Sequence, residues 1–574
     1  MKHFNKIYGW LGRLYGWCVA PEHLFAITLV VLAVPNVALD FTECMSPVAK
    51  TVNVIVPLSA LWLAMTFCRR PGRTVWLLFP LVFLAAFQIV LLYLFGRGVI
   101  AVDMFLNLVT TNVGEAMELL DNLVPAIITV VVLYIPVLGL GVCSIRGRGV
   151  LGGAFIRRQR KAAAAALAAG AVCLATAYAT DDDYRIENDT YPVNVFYNLV
   201  LAVERAGATA DYAATSAGFS FGAHPTHPSD STEVYVLVVG ETARAMSFGI
   251  YGYGRNTTPL LSKVAGLTVF TDVITQSNTT HKSVPMLLSA ASAEDYDRIY
   301  REKGIITAFR EAGFHTVFLS NQRPNHSFID IFGMEADEWK FIKDGRGAEA
   351  NPADSRLVGL LAGVLAKGHR KLFVVLHTYG SHFNYRERYP RSAAVFRPDD
   401  ATEAVAANRR ELVNAYDNTI CGTDRMLSDI ITMLGRSGST AALLYTSDHG
   451  ENIFDDSRGM FLHASPVPSY YDLHVPLLVW TSPAYRRACP SVVEALEANS
   501  RRSVASSAAV FHTMLALGGI ATPYRTDSLS VAGSGYVPAR RHYLNDHNRP
   551  VALDRLGLDN EDVEMFRRRG MAFP

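Results

Sequence analysis

The stretch "TAALLYTSDHG", residues 440–450, decides how the second half of this chain is read. A short apolar run closed by a polar, glycine-ended cluster reads as a buried strand. The Asp448–His449 pair at its end offers one carboxylate oxygen and one imidazole nitrogen, which a single cation such as zinc can take together. A plainer reading is also open, in which Asp448 caps the next helix and His449 is solvated. Similar runs flank it on both sides: "VYVLVVGE" (234–241), "HTVFLSN" (315–321), "KLFVVLHTYGSH" (371–382) and "VPLLVW" (475–480). Helical stretches such as 404–434 and 503–517 fill the gaps. This alternation predicts an α/β sandwich with a largely parallel sheet. Functional groups in such sheets gather beyond the carboxyl ends of the strands. The polar residues here sit in those places: Glu241 after one strand, His377 and His382 after another, Asp448 and His449 after a third.

Glu241 is a candidate third ligand, with a helix cap at Thr242 as the alternative. Three ligands from separate strand ends plus a hydroxyl would make a catalytic metal site with one position for the reacting group. His382 of "GSHF" and His463 of "FLHAS" are candidates for a second metal or for a phosphate contact. The hydroxyl would come from "SNTTHKSVP" (277–285), which comes after the strand-like run "LTVFTDVITQ" (267–276). A hydroxyl nucleophile needs a base or a metal beside it. On residue types alone, Thr279 and Thr280 are equivalent.

The first third of the chain is of another kind. Half of the 574 residues are apolar and only 18% are charged, a lean charge content that points to a membrane-embedded part. Five charge-free apolar stretches of 17–24 residues stand out: 23–39, 51–68, 74–96, 122–145 and 162–180. Each is long enough to span a bilayer. Arginines and lysines crowd the loops 68–74 and 144–161 and the N-terminal tail, and positive loops stay in the cytoplasm. The expected order is a transmembrane domain with five helices over 1–180, an amphipathic connector over 181–231 and an outer catalytic domain over 232–574. The N-terminus would then be cytoplasmic, the first span a retained anchor, and the catalytic domain periplasmic in a Gram-negative bacterium. A net charge of +1 argues against a nucleic-acid partner. Of seven cysteines, only Cys421 and Cys489 fall in the outer domain, where one disulfide is conceivable.

Taken together, "VVGETARAMSFGIYGYGRNTTPLL", "SNTTHKSVPMLLS", "LHTYGSH" and "YTSDHGE…FLHAS" resemble the phosphoethanolamine transferases. That family of membrane enzymes, which includes the mobile colistin-resistance enzymes, belongs to the alkaline phosphatase and sulfatase superfamily. The resemblance extends over nearly the whole chain. It implies a helical membrane domain joined to an alkaline-phosphatase-like α/β domain. It implies zinc held by Glu241, Asp448, His449 and Thr280, with Thr280, five residues before Pro285, as the nucleophile. It implies that His382 and His463 bind a second zinc or the donor phosphate, and it aligns His326 with a lysine that contacts substrate. Asn107, Thr111 and Glu115, spaced to share one helix face, would hold the ethanolamine head group. The implied reaction moves phosphoethanolamine from phosphatidylethanolamine, through a covalent threonine intermediate, to a lipid A phosphate or core sugar of lipopolysaccharide. That would lower envelope negative charge and promote polymyxin resistance. Gln276 and Met286 stand where relatives that modify lipid A carry cysteines, so rigidity near Thr280 must come from elsewhere. Rival readings are a phosphoglycerol transferase of the same superfamily and an inactive membrane sensor or scaffold.

Overall fold

The computed structural model describes residues 13–43, 45–110 (of 107–110 the backbone only), 123–182, 184–227, 231–344, 351–401 and 403–573. Of the described residues, 13–108 and 123–203 form a helical unit and 204–573 an α/β unit.

The helical unit contains α1 (Pro21–Thr42), α2 (Pro47–Met65), α3 (Pro71–Leu77), α4 (Phe79–Phe95), α5 (Val102–Thr110), α6 (Val124–Arg146), α7 (Gly153–Thr180) and α8 (Val193–Ala210). By length and composition α1, α2, α6 and α7 can each cross a bilayer. The stretch expected as a third single span is a bent pair, α3 and α4, with an angle of 59° between them. Pro80, at the start of α4, explains the break, because proline lacks the amide donor and its ring collides with the carbonyl four residues back. Counting the pair as one, the candidate spans among the described residues number five.

Small residues let these helices approach. At Gly170 of α7 an added Cβ would lie 3.1 Å from Val56 and 3.2 Å from Ile55 of α2, the close packing that glycine permits between membrane helices. Buried polar side chains close the remaining gaps. Asn36 of α1 donates to the backbone oxygens of Asn53 and Tyr191, both at 2.7 Å. Asn53 of α2 donates to Asp40 at 2.9 Å and accepts from the Tyr191 amide at 3.1 Å. Gln88 of α4 satisfies the Gly98 carbonyl and the Ile100 amide. Without water, each of these groups would otherwise be unsatisfied.

The α/β unit is built on a seven-stranded sheet. Its strands are β1 (Glu233–Gly240), β2 (Leu267–Phe270), β3 (His315–Ser320), β4 (Glu338–Phe341), β5 (Lys371–His377), β6 (Thr440–Ser447) and β7 (Leu477–Thr481). They lie in the order β2-β7-β6-β1-β5-β3-β4. All neighbours are parallel except β7, which runs antiparallel to both β6 and β2. β1, β5 and β6 are buried along nearly their whole length, as near-continuous apolar strands covered on both faces should be. The helices of this unit include α9 (Thr280–Leu287), α10 (Arg409–Arg436) and α11 (Ser506–Leu517). Cys421 and Cys489 are both free, so no disulfide joins them.

Candidate active site

Parallel pairing brings the strand ends together. Gly240 of β1 stands opposite Ser447 of β6, so Glu241 and Asp448 leave the sheet side by side. Thr242 then takes a left-handed φ of 61°, costly for a β-branched residue. That turn lets its amide donate to Asp448 Oδ1 at 3.0 Å and its hydroxyl to Glu241 Oε1 at 2.8 Å. The His449 amide also donates to Asp448 Oδ1, at 2.7 Å. His449 Nδ1 lies 2.9 Å from the Gly450 carbonyl, which puts the ring proton on Nδ1 and leaves Nε2 as a lone pair. That nitrogen is 3.2 Å from Asp448 Oδ2 and 3.5 Å from Glu241 Oε1.

Thr280 is the first residue of α9, and its hydroxyl closes the group. Oγ1 lies 3.1 Å from Glu241 Oε1 and 3.1 Å from His449 Nε2. Thr279 turns the other way, its hydroxyl paired with Ser277 Oγ at 3.0 Å. The geometry thus separates two threonines that composition could not. Their loop is braced without cysteines. Gln276 accepts from the Ala293 amide and donates to Glu294. Asn278 donates to the Ser465 carbonyl and accepts from the Tyr543 hydroxyl at 2.6 Å.

Glu241 and Asp448 are buried to about one percent exposure or less, and Glu241 Oε2 and Asp448 Oδ2 have no hydrogen-bond partner. Burial, and then the charge of Asp448, push the Glu241 carboxyl well above its ordinary range. Burial holds His449 down to about 4, so its ring is neutral at physiological pH. The donor atoms of Glu241, Asp448 and His449 lie within 4.8 Å of one another. Two facing carboxylates, two orphan oxygens and an imidazole lone pair are what a cation would satisfy. A nitrogen-and-oxygen set suits zinc.

A second group adjoins the first. The rings of His463 and His449 are 4.1 Å apart between centroids, and those of His463 and His382 are 6.1 Å apart. The loops carrying them are tightly set. Gly380 takes a φ of 51°, and a Cβ there would run into the Glu241 backbone. Asp354 fastens the same turn by accepting from the Tyr379 and Gly380 amides at 2.9 and 2.8 Å. Leu462 and Ala464, on either side of His463, are both left-handed. Burial lowers His463 to about 4 and, with Arg388 and His463 nearby, takes His382 well below its usual value. Both are therefore neutral.

Two residues here escaped the sequence reading. Glu451 lies 3.0 Å from His463 Nδ1 and accepts from the Tyr385 hydroxyl at 3.2 Å, a contact that sets which ring nitrogen of His463 is turned away from it. Burial raises it to about 8. Lys343 comes just after β4 and sets Nζ 2.9 Å from the centroid of Tyr379, whose ring stacks on His382 at 5.2 Å. The strand-end rule would have found Lys343 had β4 been recognised. His326 is turned by Asp330, which accepts its amide at 2.6 Å, and among the described contacts none joins it to the Glu241–Thr280–His449 group. Thr111 and Glu115 lie outside the described residues, and Asn107 is described only as part of α5.

A mostly parallel sheet with carboxylate, imidazole and hydroxyl groups converging beyond its strand ends is the frame of the alkaline phosphatase and sulfatase superfamily. The chain belongs to the sulfatase family, whose model matches residues 233–520. Among individual proteins it is 26% identical over 341 residues to the phosphoethanolamine transferase CptA of Salmonella typhimurium. That match takes in 57% of this chain and spans 58% of the relative's length. The integral membrane lipooligosaccharide phosphoethanolamine transferase A (EptA) of Neisseria meningitidis shares the fold of 89% of this chain and 98% of its own. The TM-score is 0.71 at 21% identity. The periplasmic domain of EptC from Escherichia coli, solved in complex with zinc, aligns over 59% of this chain and 97% of its own, with a TM-score of 0.53 at 22% identity.

Proposed function

We propose that this protein is an inner-membrane enzyme that transfers phosphoethanolamine from phosphatidylethanolamine to a lipopolysaccharide acceptor, with Thr280 as nucleophile. The observation that carries the reading is the position of Thr280 Oγ1, 3.1 Å from both Glu241 Oε1 and His449 Nε2. The similarity to CptA and the fold shared with EptA support the choice of group transferred. Glu241, Asp448, His449 and Thr280 would hold zinc, which when bound stabilises a deprotonated hydroxyl and offsets charge on phosphoryl oxygens.

In the first step Thr280 Oγ1 forms a bond to the phosphorus of the donor. Its proton has an acceptor in Glu241 Oε1, and the bond to the diacylglycerol oxygen breaks, that oxygen leaving as a hydroxyl with a proton from solvent. In the second step an oxygen of a lipid A phosphate or core sugar attacks the same phosphorus and frees Thr280. Thr280 opens α9, and the dipole of a helix favours negative charge at that end. His382 and His463, neutral and oriented by the Phe383 carbonyl and by Glu451, are placed to contact phosphoryl oxygens or a second ion. A helical membrane unit suits a lipid donor. The positive loops 68–74 and 144–161 support an orientation with the N-terminus in the cytoplasm and the α/β unit in the periplasm. Each transfer adds an ammonium to an anionic glycolipid, which weakens its hold on cationic peptides such as polymyxin.

Mass spectrometry of envelope glycolipids tests this in cells carrying the wild type or Thr280→Ala. The wild type should add a phosphoethanolamine increment that the variant does not. An increment that persists in the variant refutes the nucleophile, and one found on no glycolipid refutes the acceptor class.

A further inference from the structure

At the opposite end of the same sheet, two histidines and a glutamate meet outside the site described above. His315 is the first residue of β3, Glu338 is the first of β4, and His369 stands two residues before β5. These strands are consecutive in the sheet, so their starts lie next to one another. The three side chains offer donor atoms that all lie within 4.8 Å of one another. The imidazole rings stack face to face, 3.9 Å between centroids and 8° from parallel. His315 Nε2 is 3.0 Å from Glu338 Oε1, and its Nδ1 is 3.7 Å from Asp337 Oδ2.

We propose that His315, His369 and Glu338 form a metal site for a divalent transition ion of the zinc or copper class, separate from the Glu241–Asp448–His449 group. An ion-pair network by itself accounts for only part of the arrangement. Lys367 Nζ binds Glu338 Oε2 at 2.5 Å, which fixes the carboxylate but leaves Oε1 toward the histidines. Asp337 is committed to Thr316, whose amide and hydroxyl both donate to its Oδ2 at 2.8 Å, so it borders the cluster as a second carboxylate. The ion pairs give no role to His369. Its Nε2 is buried and has no hydrogen-bond partner, although the ring is pressed against His315. A ring nitrogen withheld from water without a partner is retained at a cost, and a cation shared with His315 and Glu338 would satisfy it.

The donor set selects the class of ion. Two imidazoles and one carboxylate suit zinc, copper or nickel, whereas magnesium and calcium take oxygen ligands. Bond lengths of roughly 2.0–2.2 Å require the two rings to rotate out of their face-to-face stack so that both lone pairs and Glu338 aim at one point, which their half-exposed positions allow. The catalytic group is distant, because β5 alone separates its two ends by roughly 20 Å. A bound ion here would clip the starts of three adjacent strands and leave the chemistry untouched.

The test uses the full chain in detergent, stripped with chelator and titrated with zinc. Four proteins are compared: the wild type, Asp448→Asn, His315→Ala/His369→Ala, and the combination of all three substitutions. The histidine double variant should hold one zinc fewer than the wild type and still transfer phosphoethanolamine. In the Asp448→Asn background, zinc should bind at least tenfold more tightly with the histidines present than without them. Copper added to Asp448→Asn should show hyperfine couplings to two imidazole nitrogens in its electron paramagnetic resonance spectrum. His369→Gln, a milder change at a loop position, should reduce these to one. Equal stoichiometry with and without the histidines, or a copper spectrum unchanged by His369→Gln, overturns the site. Failure of the catalytic assignment reads differently, since Asp448→Asn alone would then leave metal content unaltered.

Discussion

The two glutamates that bracket β1 are treated in opposite ways by the same fold. Glu233 opens the strand and Glu241 comes after its last residue, and both are buried to one percent exposure or less. Glu233 is fully partnered. His227 Nδ1 lies 2.9 Å away, the Tyr235 hydroxyl donates at 2.7 Å, Ser231 donates as well, and Lys371 Nζ is 3.3 Å away. Burial alone would raise its carboxyl, but His227, Ser231 and Tyr235 hold it down to about 2. Glu241 faces another carboxylate and keeps an orphan oxygen, and its carboxyl is pushed up. A buried charge is tolerated where it is paired and signals a missing ligand where it is not. The amino end of β1 is therefore built for stability, whereas the carboxyl end keeps two carboxylates that nothing in the fold balances.

The largest expected effects lie at the carboxyl end. Thr280→Ala removes the proposed attacking oxygen and should lower transfer by about 10³-fold or more, with no adduct on the protein by intact mass. Asp448→Asn should be equally inactive, yet it relieves the opposition to Glu241. In chelator-treated protein it should melt a few degrees higher than the wild type, as a change of ~1 kcal/mol would produce. In the wild type, restoring zinc should raise the melting temperature, and Asp448→Asn should lose most of that response. A wild type indifferent to chelator and zinc would break the contrast between the two ends.

At the amino end the expected effect falls on stability instead. Glu233→Gln leaves His227 and Lys371 beside an uncharged group and should cost ~3 kcal/mol. The pH dependence comes from both partners. His227 is raised to about 9 by its contacts with Cys489 and Glu233. A raised histidine contributes fully below its unfolded value of about 6.5 and loses that contribution as pH climbs through 9. The lowered Glu233 contributes above its unfolded value of about 4.3 and loses that as pH falls through 2. The pair is therefore worth most between about pH 4.5 and 6.5. The melting-temperature gap between wild type and Glu233→Gln should be widest there and should narrow above pH 9.

This contrast also marks what could be read from residues alone. β1, β5 and β6 are legible because parallel strands covered on both faces become continuous apolar runs, and each ends in Glu241, His382 or Asp448 after a short turn. β4 is not legible. Its four residues, "EWKF", form an edge strand with exposed Lys340 and Trp339, so no apolar run announces it, and Lys343 beyond its end went unread. Glu451 stands inside "TSDHGE", but only the folded loop shows that it turns toward His463. The third span reads as one charge-free stretch of 23 residues, and a hydropathy count does not register the bend that Pro80 introduces. His315, Glu338 and His369 are spread over 55 positions, and only the order of β4, β3 and β5 joins them.

Smaller effects test the support around the nucleophile. His463→Ala and Glu451→Gln act on one unit, because Glu451 orients the ring. Each should lower transfer by roughly 10–100-fold, and the double variant should be little worse than either single one. If their effects multiply instead, Glu451 has a separate role.

The smallest change decides between neighbours. Thr279 sits at the N-cap of α9, yet its side chain makes no capping bond and its hydroxyl pairs with Ser277 alone. Thr279→Ala therefore removes one local hydrogen bond, worth about 1 kcal/mol or less, and it leaves Glu241, His449 and Thr280 as they were. Transfer should stay within about threefold of the wild type, which that energy bounds. Thr280→Ser keeps an oxygen on the same carbon and should retain measurable transfer, reduced by the freer rotation of a side chain without a β-methyl. A Thr279→Ala enzyme as dead as Thr280→Ala would mean that the loop turns during the reaction to present the other hydroxyl.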